Sequence, residues 1–591
     1  MRYILTLEIV LYLVRIFNLD DFFWRQYNQI MTEREQTHNW GKSIFVNGAI
    51  LIIVLLCTHM VYETNDDFAI SSRIVDGYPE VYFINYYYCL LLTKIQSCTT
   101  LLNVHVVAQV VLSYVSFVCI LKLILDSSKE RIVTIAACAL LAYFSIDHYA
   151  TIQFTKTAAL ITITGALLTI DALIKERSIL YYIIGILLFL IGACIRVEGV
   201  TIAFGFAGIY AIAWMIDNRS DLKEFFFNKG LALGIVMIVI IGGTATLHIA
   251  SMKANSRTPE LEEYVEYNDL RTSVIDFSIL NSYEKQRAEY DEAGLSETDI
   301  SLIKSWMFDY DGAASSDNLK TIIRIGNQRT GNKMSAKKAV RQFVKGTWSS
   351  LKSLTPKGTQ IIILVMMGIW LIVAGNRTVK FYVFLTGAAV VALHIVLYYI
   401  ERPAYRAFYV PNICAAIFMI YELSEIGALS KFKRLPGILV IMMMLLLIMP
   451  VYRDATDTYN SNMNRIMSEE FVEYLNSNKD KFFVIGTREK KQNPYFILPW
   501  KRPDTGIESN CMGTGSWGTK SPYLFDKLAV YGLDNPVKDA LYDPNTYYIG
   551  NKNIDKMTEY YNKWYSKEGK TVRMVKQMEV AGMNVWKPSY E

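Results

Sequence analysis

The chain has 591 residues, 52% of them hydrophobic and only 19% charged, whereas a soluble domain carries about 25% charge. A chain of this length divides into several soluble domains or sits in a membrane, and the low charge favours the membrane. A net charge of +5 is too weak and diluted for a nucleic-acid partner, and six His and eight Cys without a CxxC pair leave little for structural zinc.

Residues 1–17 are apolar but include Glu8 and Arg15, so this segment either spans or lies in the interface. Arg2 is followed by no small-residue cleavage site, and no removable signal peptide is expected. Together with the mixed-charge stretch that follows, it makes an N-terminal region over 1–43. Apolar runs of about 17–23 residues then recur, each matching a hydrocarbon core of about 30 Å at 1.5 Å per residue. They fall at 44–62, 102–124, 131–147, 154–174, 179–195, 198–216, 231–250, 359–375, 379–400, 407–423 and 436–450. The expected fold is a polytopic α-helical membrane protein with eleven transmembrane helices, or twelve if residues 1–17 cross. Its blocks are 44–250, with a first outer loop at 63–100, then a polar insertion at 251–358, a second helical block at 359–450 and a tail at 451–591.

Basic residues set the sides. One set of loops holds Lys122, Lys129 and Arg131, then Lys175 and Arg177, then Arg219, Lys223 and Lys229, then Arg377 and Lys380, then Lys431, Lys433 and Arg434. It alternates in step with loops that are short or acidic, at 63–100, 148–153, 196–197, 251–358, 401–406 and 451–591. The basic set is expected in the cytoplasm, which puts both large polar regions outside. In the tail, the pattern predicts a capped helix over 461–476, strands at 481–487, 494–500 and 546–550, and a helix in SPYLFDKLAVYG stopped by Gly532. A short extracytoplasmic α/β domain fits. Cys57, Cys119, Cys138, Cys194 and Cys414 fall in apolar segments as small hydrophobes, while Cys89, Cys98 and Cys511 fall outside or near them.

Polar groups gather at the outer helix ends. Asp66 and Asp67 follow the first run, with Glu63, Arg73, Asp76 and Glu80 close by. Adjacent carboxylates repel, which raises one pKa and suits a proton-accepting role, although a loop leaving a membrane is polar in any case. Asp147 and His148 end one run and Lys156 starts the next. Arg196 and Glu198 break CIRVEGV, and Glu401, Arg402 and Arg406 stand in ERPAYR. Charge at membrane depth must pair or face water. Arg196 with Glu198 reads equally as a structural pair, and Lys156 as a snorkelling side chain. A phosphate-linked leaving group at a lipid surface needs cationic donors, for which the guanidinium fork is suited, and a hydroxyl acceptor needs a carboxylate.

This arrangement resembles the GT-C superfamily of polytopic glycosyltransferases, which use sugars linked to polyprenyl or dolichyl phosphate. The resemblance rests on Asp66–Asp67 after an early helix and on hydrophobic segments followed by a soluble tail, as in bacterial members. It covers about residues 40–450, by architecture more than by letter. It implies a multi-pass protein of the bacterial cell membrane that moves a sugar from a polyprenyl-phosphate donor to a glycan, lipid or polymer hydroxyl, with inversion. The acidic role falls to Asp66 or Asp67, with a slight preference for Asp67. The phosphate-binding role falls to Arg196, Arg402, Arg406 and Lys156, with Glu198, Asp147, His148, Arg257 and Glu401 as secondary candidates. No cofactor or metal is expected, since no trio of carboxylates at metal spacing is evident. A pyrophosphate donor would be the case that calls for a divalent ion. The 251–358 insertion maps to no part of the usual core.

Other classes share the composition. A lipid-linked polysaccharide polymerase or ligase would lack an acidic pair directly after an early helix. A transporter or flippase would show broken helices meeting at mid-membrane and inverted repeats, whereas the charges here cluster at helix ends. A receptor or purely structural membrane protein is the remaining alternative.

Overall fold

The computed structural model describes residues 35–128, 130–277, 279–327, 334–426, 431–464, 468–486, 499–503 and 510–591, and at 35–37 and 431–433 the backbone alone. The apolar segment 1–17, Lys129, the side chains of Lys431 and Lys433, and most of the strand expected at 494–500 lie outside the described residues. The first helical block comprises α1 (Glu35–Cys57), β1 (Val61–Tyr62), α2 (Asn65–Val75), α3 (Tyr86–Gln96), α4 (Val104–Ser127), α5 (Arg131–Tyr149), β2 (Thr151–Ile152), α6 (Phe154–Lys175), α7 (Ile179–Ile195), α8 (Val197–Asp217) and α9 (Leu222–Asn255). The polar insertion carries α10 (Pro259–Ile275), α11 (Arg287–Glu292), α12 (Glu297–Lys304), α13 (Ser316–Asn327) and α14 (Ala336–Lys352). The second block is α15 (Pro356–Ala374), α16 (Arg377–Tyr399), α17 (Tyr405–Glu425) and α18 (Lys431–Met463).

Among the described residues ten helices are long and apolar enough to cross a membrane, and α7 adds a shorter apolar helix of 17 residues. The chain is a polytopic α-helical membrane protein. Helices α6 and α17 form its centre, each with 89% of its apolar window buried, whereas α9, at 11%, turns Phe227, Leu231 and Ile238 outward to lipid. Helices α6 and α7 pack most closely. A Cβ on Gly165 would stand 2.5 Å from the Gly185 carbonyl oxygen, so these backbones touch where only glycine fits. Starts are written locally. Thr258–Pro259, Thr355–Pro356, Ser521–Pro522 and Asn535–Pro536 each place a capping side chain before a proline at the first helical position.

The helix ends collect at two levels. At one, Asp171 and Asp126 hold Arg177 at 2.8 and 3.1 Å, Lys122 binds Asp126 and the Tyr181 hydroxyl, and Lys175 reaches Glu425. This level brings together Lys122, Lys175 and Arg177 from the loops read as basic, and Lys122 is buried in it rather than exposed. The other level carries the short and acidic loops and both polar regions.

The tail contains α19 (Glu469–Ser477), β3 (Phe482–Ile485), β4 (Cys511–Gly513), α20 (Pro522–Ala529), α21 (Pro536–Tyr542), β5 (Thr546–Ile549), α22 (Ile554–Trp564), β6 (Val572–Val580) and β7 (Met583–Tyr590). Its mixed sheet runs β4-β3-β5-β7-β6, with β4, β3 and β5 parallel and β7 antiparallel to both neighbours. The expected 461–476 helix is corrected. Helix α18 continues to Met463, and a separate α19 starts at its own cap, where Ser468 accepts from the Phe471 N–H. The β6–β7 hairpin was not foreseen. Its two turn residues, Ala581 and Gly582, both have positive φ, as a tight hairpin turn requires. The insertion and the tail share one apolar core, in which Tyr267, Ile303 and Phe308 pack with Phe482, Val484 and Tyr560. At its centre Asp309 accepts hydrogen bonds from Tyr560, Tyr565 and Asn535.

Candidate functional site

The first span ends at Cys57, earlier than the expected 62, because Val61–Tyr62 pair as a parallel strand with Thr151–Ile152. That bridge fixes the outgoing chain beside the α5–α6 turn. The acidic pair therefore lies on a helix rather than in a loop: Asp66 and Asp67 form the first turn of α2, where the helix dipole favours negative charge. Successive residues on a helix point about 100° apart, so the two carboxylates separate.

Asp67 is fully buried. It accepts from Gln109 Nε2 at 2.9 Å, stands 3.0 Å from His105 Nε2, and receives the Phe154 N–H at 3.2 Å. It clamps α2 to α4 and to the start of α6. Asp66 faces a cavity, with Arg406 Nη2 3.9 Å from its Oδ2 and the Thr64 hydroxyl at 3.4 Å. Burial pushes the Asp66 carboxyl above its ordinary range, and the charges of Asp67 and Asp276 add to the rise. Arg406, and more weakly the Thr64 hydroxyl, pull it back.

The cavity has a volume of about 2250 Å³, well above the roughly 300–1,000 Å³ of a small-molecule pocket. Ala193, Ile202, Leu247 and Leu397, all from apolar helices, make one part of its wall. Arg196, Arg402, Arg406 and Glu401 make the polar part, joined by Arg271, Asp276 and Trp306 of the insertion and by Ser516 and Trp517 of the tail. The walls thus pass from lipid-like to water-like.

The cations differ in how they are held. Arg402 has no ion pair among the described residues; its guanidinium lies 4.9 Å over the Phe277 ring. Arg196 pairs with the exposed Glu198 at 3.0 Å and lies over Phe154. Lys156 is buried away from the cavity, bound by Glu63 at 2.7 Å and Asp147 at 3.2 Å, and neither snorkels nor meets the space Asp66 faces. Asp147 also accepts from the Tyr405 hydroxyl. His148 bridges Ser113 and Tyr409 inside the bundle. Arg257 binds Glu80 at 2.5 Å outside the cavity lining. Among the described residues, no three of His, Cys, Asp and Glu converge to hold a metal ion.

The sequence reading missed Arg271, Asp276, Trp306 and Trp517. They belong to segments without a spanning pattern, and Trp517 stands in the Gly-rich segment GTGSWGTK (513–520), which has neither a helix nor a strand period. Arg73 was named only as a neighbour. It is buried and stacks on the Trp517 ring at 4.0 Å, with hydrogen bonds to the Tyr264 hydroxyl, the Ser521 hydroxyl and the Glu80 carbonyl. It joins the segment between α1 and α4, the insertion and the tail.

Comparison with family models, with curated proteins and with solved structures finds no match.

Proposed function

We propose that the chain is a membrane glycosyltransferase that moves a sugar from a polyprenyl-phosphate-linked donor to an acceptor hydroxyl at the outer face of the cell membrane. The observation that carries this reading is the Asp66–Arg406 pair in a cavity whose walls grade from apolar helix to a cluster of arginines. A lipid tail lies against Ile202, Leu247 and Leu397. The donor phosphate meets Arg402, which has no carboxylate partner among the described residues, with Arg196 and Arg406 beside it. Asp66 takes the acceptor proton as the acceptor oxygen bonds to the anomeric carbon. The bond from that carbon to the phosphate oxygen breaks, the lipid phosphate leaves with the electron pair, and the guanidinium groups neutralise it. Displacement from one side inverts the anomeric configuration. Asp67 acts here as the group that positions α2, not as the base.

The test is transfer from polyprenyl-monophosphate sugars in membranes holding the full chain. Asp66→Asn should lower transfer at least a hundredfold, in the range expected for general-base loss. Arg402→Ala should weaken donor use more than acceptor use. Full transfer by the Asp66 variant would refute the reading.

A further inference from the structure

Trp306 has a φ of +67°, in the left-handed region that favours glycine. It stands just past α12, where its N–H bonds to the Ile303 carbonyl and the next N–H, of Met307, reaches back to Leu302. Helices commonly close this way on a glycine. A large aromatic side chain there is strained, and such strain persists where surrounding structure holds it. The hold comes from the tail: the Phe308 N–H donates to the Thr514 carbonyl at 3.0 Å, and a Cβ on Gly515 would lie 2.2 Å from the Trp306 carbonyl oxygen. Trp306 lines the cavity.

Beside it lies Arg271, only 3% exposed, its guanidinium 5.7 Å from the indole centroid. Its Nε donates to Asn268 and its Nη2 to Thr272, each at 3.1 Å, and Nη2 is 3.8 Å from Asp276. Among the described residues Nη1 has no protein acceptor. An arginine so buried, with one edge unused and a carboxylate alongside, is built to receive a ligand. The carboxylate makes this end unlike the Arg402 end. It repels a phosphate but accepts from a hydroxyl.

We propose that Trp306, Arg271 and Asp276 form the acceptor subsite and that the acceptor is a carbohydrate. A pyranose presents a C–H face to the indole, and neighbouring ring hydroxyls accept from Arg271 Nη1 and donate to Asp276. A peptide offers no such ring, and a lipid chain leaves both polar groups unsatisfied. The word acceptor rests on the transferase reading above; the sugar site does not.

Saturation-transfer NMR on the full chain in nanodiscs tests it, with cellotriose, chitotriose and mannotriose as probes and a glycerol-phosphate oligomer and a serine-rich peptide beside them. At least one trisaccharide should receive saturation at its ring protons. Trp306→Gly, which removes the ring and relaxes the backbone, should weaken that binding at least tenfold. Trp306→Phe should keep most of it. Equal binding by Trp306→Gly, no binding of any trisaccharide, or binding of only the peptide or the glycerol phosphate would overturn the proposal. A chain that binds a trisaccharide but transfers no sugar from any lipid phosphate would refute the transferase reading and leave the carbohydrate site standing.

Discussion

At Asp66, the role proposed for the carboxylate and the stability of the fold pull in opposite directions. Its folded-state pKa is raised, chiefly by burial, with Asp67 and Asp276 adding to the rise. A carboxyl raised in this way contributes stability below its unfolded pKa and loses it as pH climbs through the folded value. At neutral pH the charged form is therefore a strain on the fold, and Asp66→Asn should raise the thermal midpoint while lowering transfer at least a hundredfold. Scanning calorimetry beside the transfer assay checks both halves. The pH profile gives a second check. Arg406 lowers the Asp66 pKa, so Arg406→Gln should move the acid limb of transfer to higher pH; an unmoved limb would mean that another group titrates there. That charged residues stand at these helix ends is legible in the letters, because ERPAYR and CIRVEGV interrupt apolar runs. Which of them face the cavity is not. Lys156 turns inward because Glu63 and Asp147 wait there, and Glu63 comes from another part of the chain. Asp66 and Asp67 are neighbours in sequence but diverge on a helix start that a loop reading hides.

At the scale of elements, the α6–α7 pair sets the geometry behind the site. Helix α6 begins at Phe154 and α7 ends beside Arg196, whose guanidinium lies 5.9 Å from the Phe154 ring centroid. Any spreading of the pair moves a cation of the cavity wall. A Cβ on Gly165 would meet the Gly185 carbonyl oxygen at 2.5 Å and the Phe189 nitrogen at 2.6 Å, both backbone atoms that cannot rotate aside. Gly165→Ala should cost about 1–3 kcal/mol, the usual range for overpacking, and should reduce transfer without moving its pH profile. Gly234→Ala on the lipid-facing α9 has nothing within 4 Å and should be neutral. Thermal unfolding of both variants in the same detergent separates them. Hydrophobic length places every span from α1 to α18. It does not tell which face packs, because α6 is apolar nearly all round. Nor does it reveal β1–β2, a pairing of two residues each, or the β6–β7 hairpin, whose outer strand is largely exposed and polar.

At the scale of the whole molecule, the two polar regions act as one cap. They share a core, and Arg73 ties them to the segment between α1 and α4 through Trp517, Tyr264 and Ser521. The alternation of basic and acidic loops is legible in the letters, and it carries the expectation of which side each loop faces. The common cap is not legible there, since its core is assembled from segments separated by the whole second helical block. Its placement decides whether the proposed transfer can work, because on that proposal a lipid-linked donor would reach Asp66 and Arg402 only from the leaflet on which the cap sits. Native Cys98 reports that side. It is a free, exposed thiol in the segment between α1 and α4, at the level of the cavity. Arg219, exposed between α8 and α9, stands at the opposite level. A membrane-impermeant maleimide applied to right-side-out vesicles should label the parent chain at Cys98, and Cys98→Ser should remove that signal. On the Cys98→Ser background, Arg219→Cys should label only after the membrane is permeabilised. The reverse pattern would turn the cap and the acidic pair toward the cytoplasm. An outward-facing transfer would then be impossible, whatever the cavity binds.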